Sequence, residues 1–134
     1  MKTHHLLAGL LLLVGGAAWA QDQALLQEAL KDCDKNQLTM NMCASHRYAT
    51  ADQKLNQQYK QLMAQQDATG KQRLRDAQRA WISFRDKDCL ANNGLREESG
   101  SIWPLLHFSC LERHTVQRSE DLKLQACGME GCGK

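Results

Sequence analysis

The sequence predicts an all-α fold: a small four-helix bundle braced by two or three disulfides. Three observations carry that expectation. Beyond the first twenty residues alanine, leucine, glutamine, lysine and arginine dominate, and these residues lose little on entering a helix. Apolar positions recur at steps of three and four, and no stretch alternates as a half-buried strand would. All six cysteines lie beyond residue 20, where a small exported domain uses cross-links to supplement a limited core.

The chain opens as an export leader. Lys2 supplies a basic start, residues 6–14 an apolar run, and Ala18-Trp19-Ala20 a small-residue cleavage site with Gln21 behind it. The spacing predicts a signal peptide over residues 1–20, cleaved after Ala20, and one domain over 21–134. The apolar run is too short to span a bilayer and none follows it. A periplasmic or secreted protein without stable membrane insertion is therefore expected. No cysteine stands at the cleavage point, so no lipid anchor is expected either.

The first helix is predicted over 23–33, from Leu26, Ala29, Leu30 and Cys33 at helical spacing. A polar turn over 34–38 leads to Thr39, a residue type suited to cap the second helix, which reaches about residue 66. The stripe of that helix is Ala44, Tyr48, Ala51, Leu55, Tyr59 and Leu62. Residues 67–70 break the pattern. The third helix is expected over 71–91, stopped by Asn92-Asn93-Gly94. Residues 94–101 read as a polar loop bearing Arg96, Glu97 and Glu98. Ser101 is placed to cap the fourth helix, because Pro104 fits only a first helical turn. That helix extends to about 125, and the tail CGMEGCGK reads as a glycine-rich knob.

Charge and cysteine count narrow the function. The leader takes only Lys2 of the 17 basic residues, so the mature chain sets 16 against 15 acidic groups, near +1. That balance gives no footprint for nucleic acid. Six cysteines allow fifteen full pairings, and spacing favours Cys33–Cys43, Cys89–Cys110 and Cys127–Cys132. Closing loops of those sizes is worth about 2–3.5 kcal/mol each.

Two helices carry polar residues on faces that should be buried. Leu74, Gln78, Trp81, Arg85 and Cys89 share one side of the third helix, and Cys110, Leu111, His114, Arg118 and Leu122 share one side of the fourth. Asp52 borders the stripe of the second helix, near the Tyr48 and Tyr59 positions. An unpaired buried guanidinium costs several kcal/mol, so a polar seam of Asp52, Gln78, Arg85 and Arg118 is expected. Its plain role is to fix helix register; its functional role is a ligand-facing patch.

No nucleophile–base pair or spaced pair of carboxylates stands out, since Glu97 and Glu98 are adjacent in a loop. The chain is read as not an enzyme. His107 and His114 lie two turns apart and Cys127 and Cys132 five positions apart, without the spacing of a zinc site. Neither a metal nor any other cofactor is expected.

Taken in order, Cys33, Thr39, Met42, Cys43-Ala44, Tyr48, Ala51-Asp52-x-x-Leu55-Asn56-x-x-Tyr59, Leu74, the run 77–86 reading AQRAWISFRD, Cys89, Gly100-Ser101, Pro104, Cys110-Leu111, Thr115, Arg118 and Leu122 form a set. The set resembles the LprI-like lysozyme-inhibitor domain, a bacterial exported family formerly known only as a domain of unknown function, over about residues 28–124. The resemblance implies a disulfide-braced helical domain of the bacterial envelope whose partner is a lysozyme or related peptidoglycan hydrolase. His114, where the family more often has an apolar residue, and the Cys127–Cys132 tail depart from the pattern. Under that reading the 92–103 loop enters a glycan-binding cleft. Cys89–Cys110 would pin its base, Arg96 would meet a carboxylate, and Trp103 would anchor beside it, with Glu97, Glu98 and Ser101 in the same loop. The plain alternative is a surface loop with Trp103 packed into the bundle. Rival functions are an envelope or stress module that binds a ligand or glycan around Tyr48, Tyr59, Arg85 and Arg118, and an immunity protein against a cell-wall hydrolase.

Overall fold

The computed structural model describes residues 15–128 and Cys132. The basic start and apolar run of the expected leader, and most of the glycine-rich tail, lie outside the described residues. Those described are helical between short turns, and none is in a strand. In chain order they form α1 (Gly15–Ala29), α2 (Gln37–Ala64), α3 (Ala68–Asn93), the single turn α4 (Arg96–Ser99), a 3-10 turn (Gly100–Ile102) and α5 (Trp103–Cys127).

Side-chain caps set the helix starts. Asn36, not Thr39, caps α2: its Oδ1 accepts from the Thr39 N–H at 3.0 Å, while Thr39 Oγ1 accepts from the Asn36 N–H at 3.1 Å. Both residue types suit a cap; the one three positions earlier takes it because Thr39 then completes a reciprocal pair. The Thr39 hydroxyl also donates to the Cys33 carbonyl at 3.2 Å. Asp67 caps α3 by accepting from the Gly70 N–H at 2.7 Å. That helix runs through Asn93 and closes on Gly94, whose φ of 65° lies in the left-handed region. A Cβ there would stand 2.7 Å from Glu98 Oε2, so both conformation and space favour glycine.

Ser101 does not cap the last long helix. It lies inside the 3-10 turn, and α5 begins at Trp103 without a side-chain cap, with Pro104 in its first turn. The expected open loop at 94–101 is instead mostly helical turns.

Ion pairs and cross-links give the register. Arg47 pairs with Glu112 at 3.1 Å and Lys54 with Glu120 at 3.2 Å, so α2 and α5 ascend together. Cys89 joins Cys110 and Gln78 meets Arg118, so α3 descends against them. The α2–α5 contact is the most extensive, α3 closes mainly on α5, and α2 and α3 touch sparingly. One core cluster is Leu55, Leu62, Leu74 and Leu122, flanked by Tyr59, Met63, Trp81 and Ala126. A second gathers Cys89, Cys110 and Leu111 against Tyr48 and Phe108. Each buried leucine contributes about 1.5–3 kcal/mol.

The bundle therefore has three long helices, not four. α1 rests on α2, with Ala29 buried, Leu26 half-buried and most of the remainder exposed. Its apolar stripe is barely a turn wide, too narrow to enter the shared core. A clasp compensates: Cys33–Cys43 has its Cα atoms 5.8 Å apart. Cys89–Cys110 and Cys127–Cys132 are also bonded, at Cα separations of 5.7 and 4.9 Å. No cysteine is free among the described residues.

Candidate functional site: the pinned tip and the polar seam

The segment joining α3 to α5 turns across one end of the bundle. The Cys89–Cys110 disulfide ties the flanking helices within two turns of it. Inside the turn Glu98 Oε2 accepts from the Leu95 N–H at 2.7 Å, and Ser99 Oγ donates to the Asn93 carbonyl at 2.9 Å. The Trp103 indole N–H donates to the Gly94 carbonyl at 3.0 Å. From α2, the Asn41 amide donates to the Ser101 carbonyl at 2.9 Å. Four polar contacts thus fix the segment before any partner arrives.

The expected loop residues divide into two groups. Trp103 is half-buried, its ring stacked on His107 with centroids 4.2 Å apart and 13° between planes; it takes the packed placement and holds the turn. Glu98 is engaged as the cap of α4, and Ser101 offers its carbonyl to Asn41. Arg96 and Glu97 remain exposed, with no ion pair among the described residues. In the same turn and the start of α5, Leu95, Ile102 and Leu106 are exposed by 52%, 43% and 40%.

His107, weighed in the sequence only as a metal ligand, has a packing role that the sequence did not show. Its ring lies between Trp103 and Phe108 (5.7 Å, edge-on), and its Nδ1 is buried without a hydrogen-bond partner among the described residues. Burial pushes the imidazole's pKa down, with Asp86 opposing and Arg85 reinforcing. The available signal was its place one turn after Trp103.

The four expected seam residues do not form one network. Arg85 is buried, its Nε and Nη2 donating to Asp86 Oδ1 at 2.9 and 2.8 Å. Its guanidinium carbon lies 5.1 Å from the Trp81 ring centroid and 5.8 Å from that of Tyr48. Burial raises the Tyr48 hydroxyl's pKa, partly offset by the Arg85 charge. Gln78 and Arg118 form a second unit, Arg118 Nε donating to Gln78 Oε1 at 3.0 Å. Burial lowers the Arg118 pKa while Asp121 opposes, and a guanidinium stays charged regardless. Asp52 stands apart, accepting from Asn56 of its own helix at 3.0 Å.

Cys89, Cys110 and His114 gather within 4.8 Å of one another, but both sulfurs are spent in a disulfide and only the imidazole remains a donor. That imidazole meets Asp88 at 2.8 Å and the edge of Phe84 at a centroid distance of 5.5 Å. No helix of the described residues is long and apolar enough to cross a membrane.

Comparison with known proteins places these features in context. The profile of the family described as Lysozyme inhibitor LprI matches residues 20–122. The chain is 36% identical to the protein R02472 of Rhizobium meliloti (strain 1021), named as uncharacterised, across 72% of this chain and 80% of that one. It is 27% identical to the uncharacterised protein YecT of Escherichia coli (strain K12), across 80% of this chain and 82% of the other. No solved structure matches the chain.

Proposed function

The chain belongs to the LprI lysozyme-inhibitor family, and from that premise we propose that it is an exported, non-catalytic binding protein that blocks a lysozyme-type peptidoglycan hydrolase. The observation that carries the reading is the pinned 94–102 turn, held at its base by a disulfide and bearing exposed Arg96 together with exposed Leu95 and Ile102. Glycan-cleaving enzymes work between paired carboxylates in a cleft. A guanidinium meets such a carboxylate with two parallel hydrogen bonds, and Leu95, Ile102 and Leu106 would exclude water around that contact. Because the turn is already ordered, little conformational entropy opposes docking.

A net charge near +1 supplies no long-range steering toward a basic enzyme. Affinity must then come from the fit of the tip. Export by cleavage after Ala20, leaving a domain over 21–134, belongs to the same proposal. An immunity protein would use the same blocking geometry on another hydrolase.

The test is lysis of cell-wall suspensions by several lysozymes, with and without the oxidised protein. Inhibition near stoichiometry is expected against at least one enzyme. Arg96→Ala should weaken it by roughly tenfold or more, the loss typical of a central charged contact. Undiminished lysis by every enzyme at large stoichiometric excess refutes the proposal.

A further inference from the structure

Because α2 and α3 touch sparingly, a groove of about 300 Å³ opens between them, lined by Asn56, Tyr59, Arg75, Gln78, Arg79 and Ile82. It lies on the side of the bundle, away from the turn that carries Arg96. Its polar wall consists mainly of donors. Neither Arg75 nor Arg79 forms an ion pair among the described residues, and Arg75 donates only to the neutral Gln72 Oε1, at 3.0 Å.

Behind the wall, half-buried Arg118 also lacks an ion pair and donates to Gln78 Oε1. A guanidinium only donates, so the Gln78 amide must present its oxygen to Arg118, which leaves its two N–H groups for other acceptors. The nearby carboxylates are otherwise engaged: Asp76 accepts from Gln72 at 3.0 and 3.1 Å, Asp121 from Gln117 at 3.1 Å, and Asp52 from Asn56. Of these three guanidinium groups without an ion pair, Arg75 and Arg118 are half-buried and Arg79 is exposed, and a partly buried charge that lacks a close partner costs free energy that an anion would recover.

We propose that the α2–α3 groove binds an oxyanion, carboxylate or phosphate, carried on a sugar ring. Arg75, Arg79 and the Gln78 amide would take the anion, and Tyr59 and Ile82 would pack on the ring. The volume is at the small end for ligand sites and suits one ring. The proposal stands apart from lysozyme blocking, because it uses another face and needs no enzyme.

The test is NMR titration of the labelled, oxidised full chain with N-acetylmuramic acid, its neutral counterpart N-acetylglucosamine, and inorganic phosphate. Saturable shifts at the Gln78 side-chain amide and at Arg75 and Arg79 are expected with N-acetylmuramic acid, with N-acetylglucosamine weaker by roughly tenfold or more. Phosphate acting at the same residues more weakly than N-acetylmuramic acid identifies a sugar carboxylate as the source; phosphate acting more tightly shows that the ring contributes nothing and overturns the sugar-bound part of the proposal. Arg79→Gln, at an exposed position, should weaken binding about tenfold. Gln78→Glu should abolish it while leaving the fold at least as stable, since Arg118 then acquires a counter-ion. Equal affinity for the two sugars, shifts confined to other surfaces, or unchanged binding by both variants overturns the proposal.

Discussion

Replacing Arg85 with alanine tests the packing logic of the bundle most directly. The residue is 8% exposed, wedged between the Tyr48 and Trp81 rings and paired with Asp86. Three losses follow. The two cation–π contacts are worth roughly 0.5–2 kcal/mol each at partly desolvated sites. The aliphatic stem leaves a void against both rings, at a cost on the order of 1–2 kcal/mol. The third loss is small: the Asp86 side chain is 55% exposed and rehydrates once its partner is gone. Together these give a destabilisation of roughly 2–6 kcal/mol, or about 10–30 °C in melting temperature for a domain near this size. Denaturant and thermal unfolding of the oxidised protein, followed by circular dichroism, read the effect. Arg85→Met separates the terms, since it keeps the stem and removes the charge; it should recover about half the loss. A change in Arg85→Ala below about 0.5 kcal/mol would refute the argument, because that is the range of an ordinary surface substitution.

Two further perturbations probe the pinned tip. Burial holds His107 below its ordinary pKa of 6.5, so on acidification the unfolded chain takes up the proton first and stability declines as pH falls below about 6.5. The melting temperature of His107→Phe, which keeps an aromatic ring between Trp103 and Phe108, should fall less over that range; a profile parallel to the parent's would remove His107 as the cause. Substituting Cys89 and Cys110 together with serine opens a cross-link of sequence separation 21 and should cost about 3 kcal/mol. Limited proteolysis should then cut first within 94–102, whereas cleavage elsewhere or none would show that the hydrogen bonds of the turn suffice without the disulfide.

The three long helices were legible because their apolar steps of three and four run for many turns, and the nearest-neighbour cysteine pairing follows from helices that meet at adjacent ends. Local chemistry misled at the boundaries. Asn36 and Thr39 are both capping types, and which one caps depends on where the clasp at Cys33 lets the helix begin. Ser101 was displaced by the extra helical turns at 96–102, which answer to the Trp103–Gly94 and Asn41–Ser101 hydrogen bonds. Such contacts between distant residues leave no periodicity to read. Gln78 and Arg118 met because each sits on the inner face of its helix. Asp52 did not join them: it pairs with Asn56 of its own helix, and α2 and α3 touch sparingly, a relation between helices that no single helical wheel contains. The Trp103–His107 stack was within reach, being one turn of one helix, but the ring's inward rotation required knowing that Gly94 would lie beneath it.

The direction of α5 has a practical bearing on how the molecule is handled. Its 25 residues carry the chain roughly 37 Å from the 94–102 end to Cys127. A linker or immobilisation tag attached beyond Cys127 would therefore stand the rod upright on a bead or sensor chip, with Arg96 uppermost. An N-terminal fusion would enter through α1, whose own footing on α2 ends at the Cys33–Cys43 clasp near the 94–102 turn, and would crowd that end of the molecule.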